Sequence, residues 1–175
     1  MGIGMDDGDI ITQREVSILD SDTAESLFDK LSNLGSTLLL DTLPSIIDGS
    51  AKKIKQNNEE ATFSYNIKPE DEIIDFTKTR REVFNQIRGL NSWPVAYTYL
   101  DSKRLKVWAS RIGEPNIKCD YGTIINIYKD GIGVQVKDGE IILTEIQPES
   151  KKKMLASDYL NGLNDKNILL NKKLG

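Results

Sequence analysis

Histidine is absent from the 175 residues. That excludes imidazole general bases, Ser–His–Asp triads and His-ligated metal centres built from this chain alone. Any acid–base step must use carboxylates, lysine or tyrosine. Cys119 is the single cysteine, so no internal disulfide forms; a reducing cytoplasm and a packed thiol are the expectation. Apolar runs such as Leu38-Leu39-Leu40 fall far short of a membrane span and belong to an amphipathic pattern. Met1 to Asp7 lacks the basic start and apolar middle of a secretory leader. There is also no phosphate loop, dinucleotide fingerprint, CxxC pair, G-x-S-x-G elbow or internal repeat.

What is present is ordinary in amount and uneven in placement. With 38% hydrophobic and 29% charged residues the chain can bury one good core or two small ones. Residues 1–75 carry 16 acidic and 6 basic side chains, a net −10, and residues 76–175 carry 11 and 17, a net +6. Such a division suggests two units, the second facing an anionic partner. The bland alternative is a solvated basic surface.

Gly2, Gly4 and Gly8 alternate with Asp6, Asp7 and Asp9, an acidic glycine loop without the spaced ligands of a calcium site. No metal is expected. Ile10 to Leu19 reads as a strand. Asp22 with Glu25 predicts a capped helix, whose apolar stripe from Leu27 to Ile47 is bent or broken at Gly35 and ended at Asp48-Gly49. One strand is too little to cover such a stripe, so residues 1–66 read as the end of a larger α/β domain. Lys68-Pro69-Glu70-Asp71 marks a linker over 67–75. Thr79 with Glu82 predicts a second capped helix with Val83, Phe84, Ile87 and Leu90 inside and Arg80, Arg81 and Arg88 outside. It leads through Gly89 and Asn91-Ser92-Trp93-Pro94 into a strand. Trp93 there is either a buried junction residue or a residue aimed for function. The remaining pattern is short alternating strands, 96–100, 104–112, 122–128, 131–136 and 140–146, separated by turn residues. These predict a small antiparallel barrel or sandwich over 76–175, closed by a helix at 156–160.

The strings themselves carry a resemblance. Gly4-Met5-Asp6-Asp7-Gly8-Asp9-Ile10 resembles the G-[LM]-D-x-G-D-[IM] loop of the 10-formyltetrahydrofolate-dependent formyltransferases, and Ala24 to Leu31 is similar to the helix after it. Ile87 to Pro94, then Ala96-Tyr97-Thr98, and the closing Met154 with Tyr159-Leu160-Asn161-Gly162 resemble the C-terminal domain of the methionyl-tRNA formyltransferases within that family. The resemblance covers essentially the whole chain, in order. It implies a Rossmann-like α/β remnant followed by an OB-like β-barrel.

It further implies transfer of a formyl group from 10-formyltetrahydrofolate to the amine of initiator methionyl-tRNA, in the cytoplasm, by a monomer with no membrane contact. Asp6 falls on the family's catalytic aspartate, and Gly4, Met5 and Asp6 on its folate loop; Asp9 is expected to be structural. The family's Asn and His would lie upstream of Met1, so an amino-terminally truncated chain, inactive alone, is expected. A carboxylate can orient an imidazole or accept the amine proton but cannot donate to an oxyanion while ionised. The candidate tRNA contacts are Lys68, Arg80, Arg81, Arg88, Lys103, Arg104, Lys106, Lys151, Lys152 and Lys153. Three sequence departures accompany the likeness: Asn66 for a usual Lys, Phe76 for a Trp, and Ser150 for a Gly. A tRNA-binding module without catalysis and a sugar-nucleotide formyltransferase are the competing readings.

Overall fold

The computed structural model describes residues 6–116 and 119–175. The chain divides into two compact units, Met1–Asn66 and Ile67–Gly175.

The first unit is built on helix α1, Ala24–Ile47. Its cap is Thr23, whose hydroxyl accepts the Ser26 N–H while Ser26 Oγ accepts the Thr23 N–H. Asp22, the expected cap, is occupied one residue earlier: its carboxylate accepts Leu19 N–H at 2.8 Å and Lys30 Nζ at 2.6 Å. The helix runs through Gly35 without a break, and Pro44 lies inside its last turns. Residues expected as a strand, 10–19, form only a single antiparallel bridge, Ile10 with Ile54. No residue of α1 is buried, and Phe28 remains 73% exposed. The amphipathic pattern thus made a helix without a sheet to cover its apolar side.

The second unit holds the core. Helix α2, Arg80–Gly89, is closed by the Thr79–Glu82 capping box and buries Val83 and Ile87. Six strands follow: β1 Tyr97–Leu100, β2 Lys103–Ile112, β3 Ile124–Ile127, β4 Ile132–Val136, β5 Gly139–Pro148 and β6 Met154–Leu155. They form one antiparallel sheet in the order β1-β2-β5-β4-β3, with β6 on β5. Asp101 and Ser102, both at positive φ, make the two-residue turn between β1 and β2. Helix α3, Ala156–Asn161, then buries Ala156 and Leu160.

The sheet curls into a half-barrel. Its inner face supplies Leu105, Val107, Val134, Ile141, Leu143 and Ile146, and α2 lays Val83, Ile87 and Leu90 among them. The C-terminal residues bridge the open side: Leu174 N–H bonds Gly122 O, and Gly175 N–H bonds Tyr99 O. Gly122 takes φ 82°, and a Cβ there would stand 2.7 Å from Leu174 O, so the approach requires glycine. The stretch 67–75, expected as a linker, packs into this unit instead. Ile73 bridges Tyr97 and Ile74 is buried in the core, because its apolar side chains cover the β1 edge. With those residues included, the second unit carries 15 acidic and 18 basic side chains, a net +3 rather than +6.

Candidate nucleic-acid interface and acidic loop

Which cations are neutralised decides where an anion could bind. Arg80 is turned inward. Its Nη1 donates to Gly113 O at 2.8 Å, Nε stands 3.4 Å from Asp138, and only 20% of its side chain is exposed. Expected on the outside of α2, it joins that helix to two loops. Lys153 pairs with Glu145 at 2.7 Å. By contrast, Lys103, Arg104, Lys106, Lys151 and Lys152 make no ion pair among the described residues.

Strand register brings most of these together. Lys106 sits opposite Tyr97 on one side and Gln147 on the other. Arg104 sits opposite Tyr99. Gln147 donates to Lys151 O at 2.9 Å, which ties the loop after β5 to the same face. Lys103, Arg104 and Lys151 line one cavity of about 270 Å³. Lys68 lies elsewhere, at the start of a 3-10 turn at Pro69–Glu72, its backbone N–H bonded to Asp71.

Aromatic rings lie under the cations. The Arg104 guanidinium stands 4.3 Å from the Tyr97 ring centre, Lys153 Nζ 4.9 Å from Trp108, and Arg81 and Arg88 5.5 and 5.4 Å from Phe84. Such contacts hold a long side chain in few rotamers, so less entropy is lost when a phosphate arrives. Burial, with the Tyr99 phenol alongside, holds the Tyr97 hydroxyl above its ordinary value. Trp108 is the extra residue of a β-bulge between Val107 and Ala109, and its Nε1–H donates to Gln147 Oε1 at 3.1 Å. These supporting aromatics were invisible as site residues in the sequence, because the signal is the register. Trp93 is 81% exposed, which settles the junction in favour of an indole facing outward.

A second polar cluster is structural. Glu140, 1% exposed, accepts Tyr128 O–H and Asn126 Nδ2 at 2.8 Å each. Arg111 closes it from outside, bidentate to Asp130 at 2.8 and 3.0 Å. The guanidinium holds the Asp130 carboxyl below its usual range, while burial and Glu140 push the Tyr128 phenol up. Gly133 leaves the room, since a Cβ there would lie 1.8 Å from Glu140 Oε1.

In the first unit Asp6 stands exposed in a turn at φ 56°. Gln56 Nε2 pins that turn, donating to Asp6 O at 2.9 Å and Gly8 O at 2.6 Å. Asp6, Asp7, Asp9 and Gln56 line a cavity of about 1020 Å³ together with Ile46 and Lys53. Gly4 and Met5, the other folate-loop residues, lie outside the described residues. Among the described residues no group of three acidic or cysteine side chains is placed to hold a metal ion. No helix of the described chain is long and apolar enough to cross a membrane.

A curled antiparallel half-barrel with a capped helix packed on it defines a small β domain that carries several unneutralised cations. Residues 66–164 match the formyl transferase C-terminal domain, and the chain belongs to that family. A methionyl-tRNA formyltransferase of Bacillus thuringiensis is 49% identical over 159 residues, covering 90% of this chain and 51% of that protein. The chain therefore spans about half the length of the curated relatives it matches. Among solved structures, HypX from Aquifex aeolicus aligns with 97% of the chain and 30% of its own, at TM-score 0.66 and 14% identity, a likeness of fold. WlaRD, a sugar 3N-formyl transferase crystallised with dTDP and 5-N-formyl-THF, aligns at TM-score 0.61 and 25% identity over 87% of this chain and 53% of that one.

Proposed function

We propose that this chain is the tRNA-holding portion of an enzyme that moves a formyl group from 10-formyltetrahydrofolate to the amine of initiator methionyl-tRNA in the cytoplasm. The observation that carries this reading is the grouping of Arg104 and Lys106 on one side of β2, with Lys103 and Lys151 beside Arg104 at one cavity, in a domain whose Bacillus relative bears that name. Unneutralised lysines around an open surface suit a polyanion many phosphates long. The 49% identity to a methionyl-tRNA formyltransferase, against 25% to a sugar formyl transferase, favours tRNA over a sugar nucleotide. Residues 1–66 then serve as the end of a Rossmann-like catalytic domain, 76–175 as an OB-like barrel and 67–75 as the approach to it, in a monomer.

Asp6 takes the role of the carboxylate that orients an imidazole or accepts the amine proton. The family loop assigns the folate contact to Gly4, Met5 and Asp6, and the cavity beside Asp6 and Gln56 offers room for it. No side chain among the 175 supplies an imidazole, so the chain by itself binds rather than transfers.

A chimera tests the assignment: these 175 residues replace the matching half of the Bacillus thuringiensis protein. The chimera is expected to form formylmethionyl-tRNA, with Asp6→Asn lowering kcat about a hundredfold or more. An inactive but folded chimera that still binds folate would sink the reading, and turnover by the 175-residue chain alone would contradict the division of labour.

A further inference from the structure

The cavity between the β1–β2 turn and the loop after β5 has more to it than charge. At about 270 Å³ it lies below the roughly 300–1,000 Å³ of small-molecule sites, room for one flat ring system rather than a whole ligand. Leu105 and Pro148, paired across β2 and β5, give it an apolar wall. Tyr159, half-buried on α3, adds an aromatic one. Lys103 and Lys151 stand at its border with no ion pair among the described residues.

Two carboxylates also line it, and they differ. Asp101 is spent on Lys172. Glu149 is exposed and makes one hydrogen bond, Oε2 accepting the Arg104 backbone N–H at 3.0 Å. That bond fixes the carboxylate, and Oε1 has no hydrogen-bond partner among the described residues. A carboxylate only accepts, through two oxygens. Guanine alone among the four bases presents two neighbouring N–H donors, N1–H and N2–H, on its Watson–Crick edge. Adenine and cytosine set an acceptor beside their amino group, and uracil flanks its imino group with two carbonyls that would face the negative charge.

We propose that this cavity takes one unpaired guanine of the bound RNA. Its base lies against Tyr159 and Pro148, its Watson–Crick edge meets Glu149, and its phosphate lies between Lys103 and Lys151. Unpaired bases are read this way, by stacking and by edge contacts that paired bases hide. The inference rests on the reading that the second unit binds RNA, and deepens it from phosphate contact to a base-selective one.

The test uses the full chain and the four nucleoside 5′-monophosphates as probes, followed through backbone amide shifts. GMP is expected to bind about tenfold tighter than UMP, the discrimination of one good two-point contact, with shifts confined to residues 100–105, 147–151 and 159. Glu149→Gln keeps an acceptor for the Arg104 N–H but turns an amide donor toward the base, and is expected to erase the preference. Lys103→Ala with Lys151→Ala should weaken all four probes alike. Equal binding of GMP and UMP, shifts centred elsewhere, or an unchanged preference in Glu149→Gln would overturn the pocket. If tRNA still binds with a steep salt dependence in that case, only the guanine reading falls. A chain that binds no tRNA at any salt concentration overturns both readings.

Discussion

Arg104 and Tyr97 are diagonal neighbours on the β1–β2 ladder, and the guanidinium rests 4.3 Å from the ring centre. The contact aims the cation outward from the sheet. Tyr97→Phe keeps the ring and should leave tRNA affinity unchanged. Tyr97→Leu removes it and should cost about 0.5–1 kcal/mol of binding, the usual worth of an exposed cation–ring pair. Filter binding at fixed salt measures both; equal loss in the two variants would assign the effect to the hydroxyl instead.

The neutralised and unneutralised cations predict different phenotypes. Replacing Lys103, Arg104 and Lys106 together by Ala should lower the log–log salt slope of tRNA binding by about two and weaken every tRNA alike. Arg80→Ala should leave that slope unchanged and lower the melting temperature, because its partners are Asp138 and Gly113 O. A salt titration alongside thermal unfolding separates the two, and a slope that fell in Arg80→Ala would refute the distinction.

Close packing around Glu140 gives a sharper stability prediction. A methyl group at Gly133 would meet Glu140 Oε1 at 1.8 Å, so Gly133→Ala should destabilise the second unit by about 3 kcal/mol, the upper end of ordinary overpacking. Urea denaturation reads it directly. A loss under 1 kcal/mol would mean that Glu140 swings away at little cost.

The start of α2 is sensitive to acid. The Thr79 hydroxyl, and then its backbone N–H, hold the Glu82 carboxyl below its ordinary value. A carboxyl depressed on folding adds stability that is present above its unfolded value, near pH 4.3, and lost as pH falls through the folded one. Melting curves of wild type and Glu82→Gln should therefore differ at pH 7 and draw together as the pH falls through the lowered folded value. A gap that stayed constant with pH would remove the carboxylate from the explanation.

The two units should behave differently when separated. Residues 67–175 are expected to unfold cooperatively, having their own core. Residues 1–66 should not, since α1 buries no residue within them. A sharp thermal transition in a 1–66 fragment would contradict this.

Much of the second unit was legible in the sequence. The alternation along 104–112 and 131–136 and the Asp101-Ser102 turn each had one local interpretation, and the strands formed within a few residues of their expected ends. The Thr79–Glu82 box was equally plain. At α1 the pattern misled, because Asp22 and Thr23 are both good caps and only the competing bonds to Leu19 and Lys30 decide between them. The linker over 67–75 was read from charge, while Ile73 and Ile74 respond to a β1 edge that is distant in sequence. Of the candidate site, the cationic residues were legible as residue types. Arg80 turning inward, and Tyr97 and Trp108 lying beneath Arg104 and Lys153, depend on register and a bulge that no local string encodes.

The closing residues of the half-barrel have a colloidal consequence. An uncovered strand edge is a template on which another molecule can add a strand. Residues 171–174 bond the outer edge of β3 at Gly122 and Ile124, while Ile74 and Gly175 donate to the Tyr97 and Tyr99 carbonyls of β1, so both edges are already partly occupied. Removing the last five residues would bare the β3 edge, free the Tyr99 carbonyl of β1 and take Leu174 out of the core. Light scattering of such a trimmed chain should rise with concentration, even though the loss of Lys172 and Lys173 takes its net charge from −4 to −6.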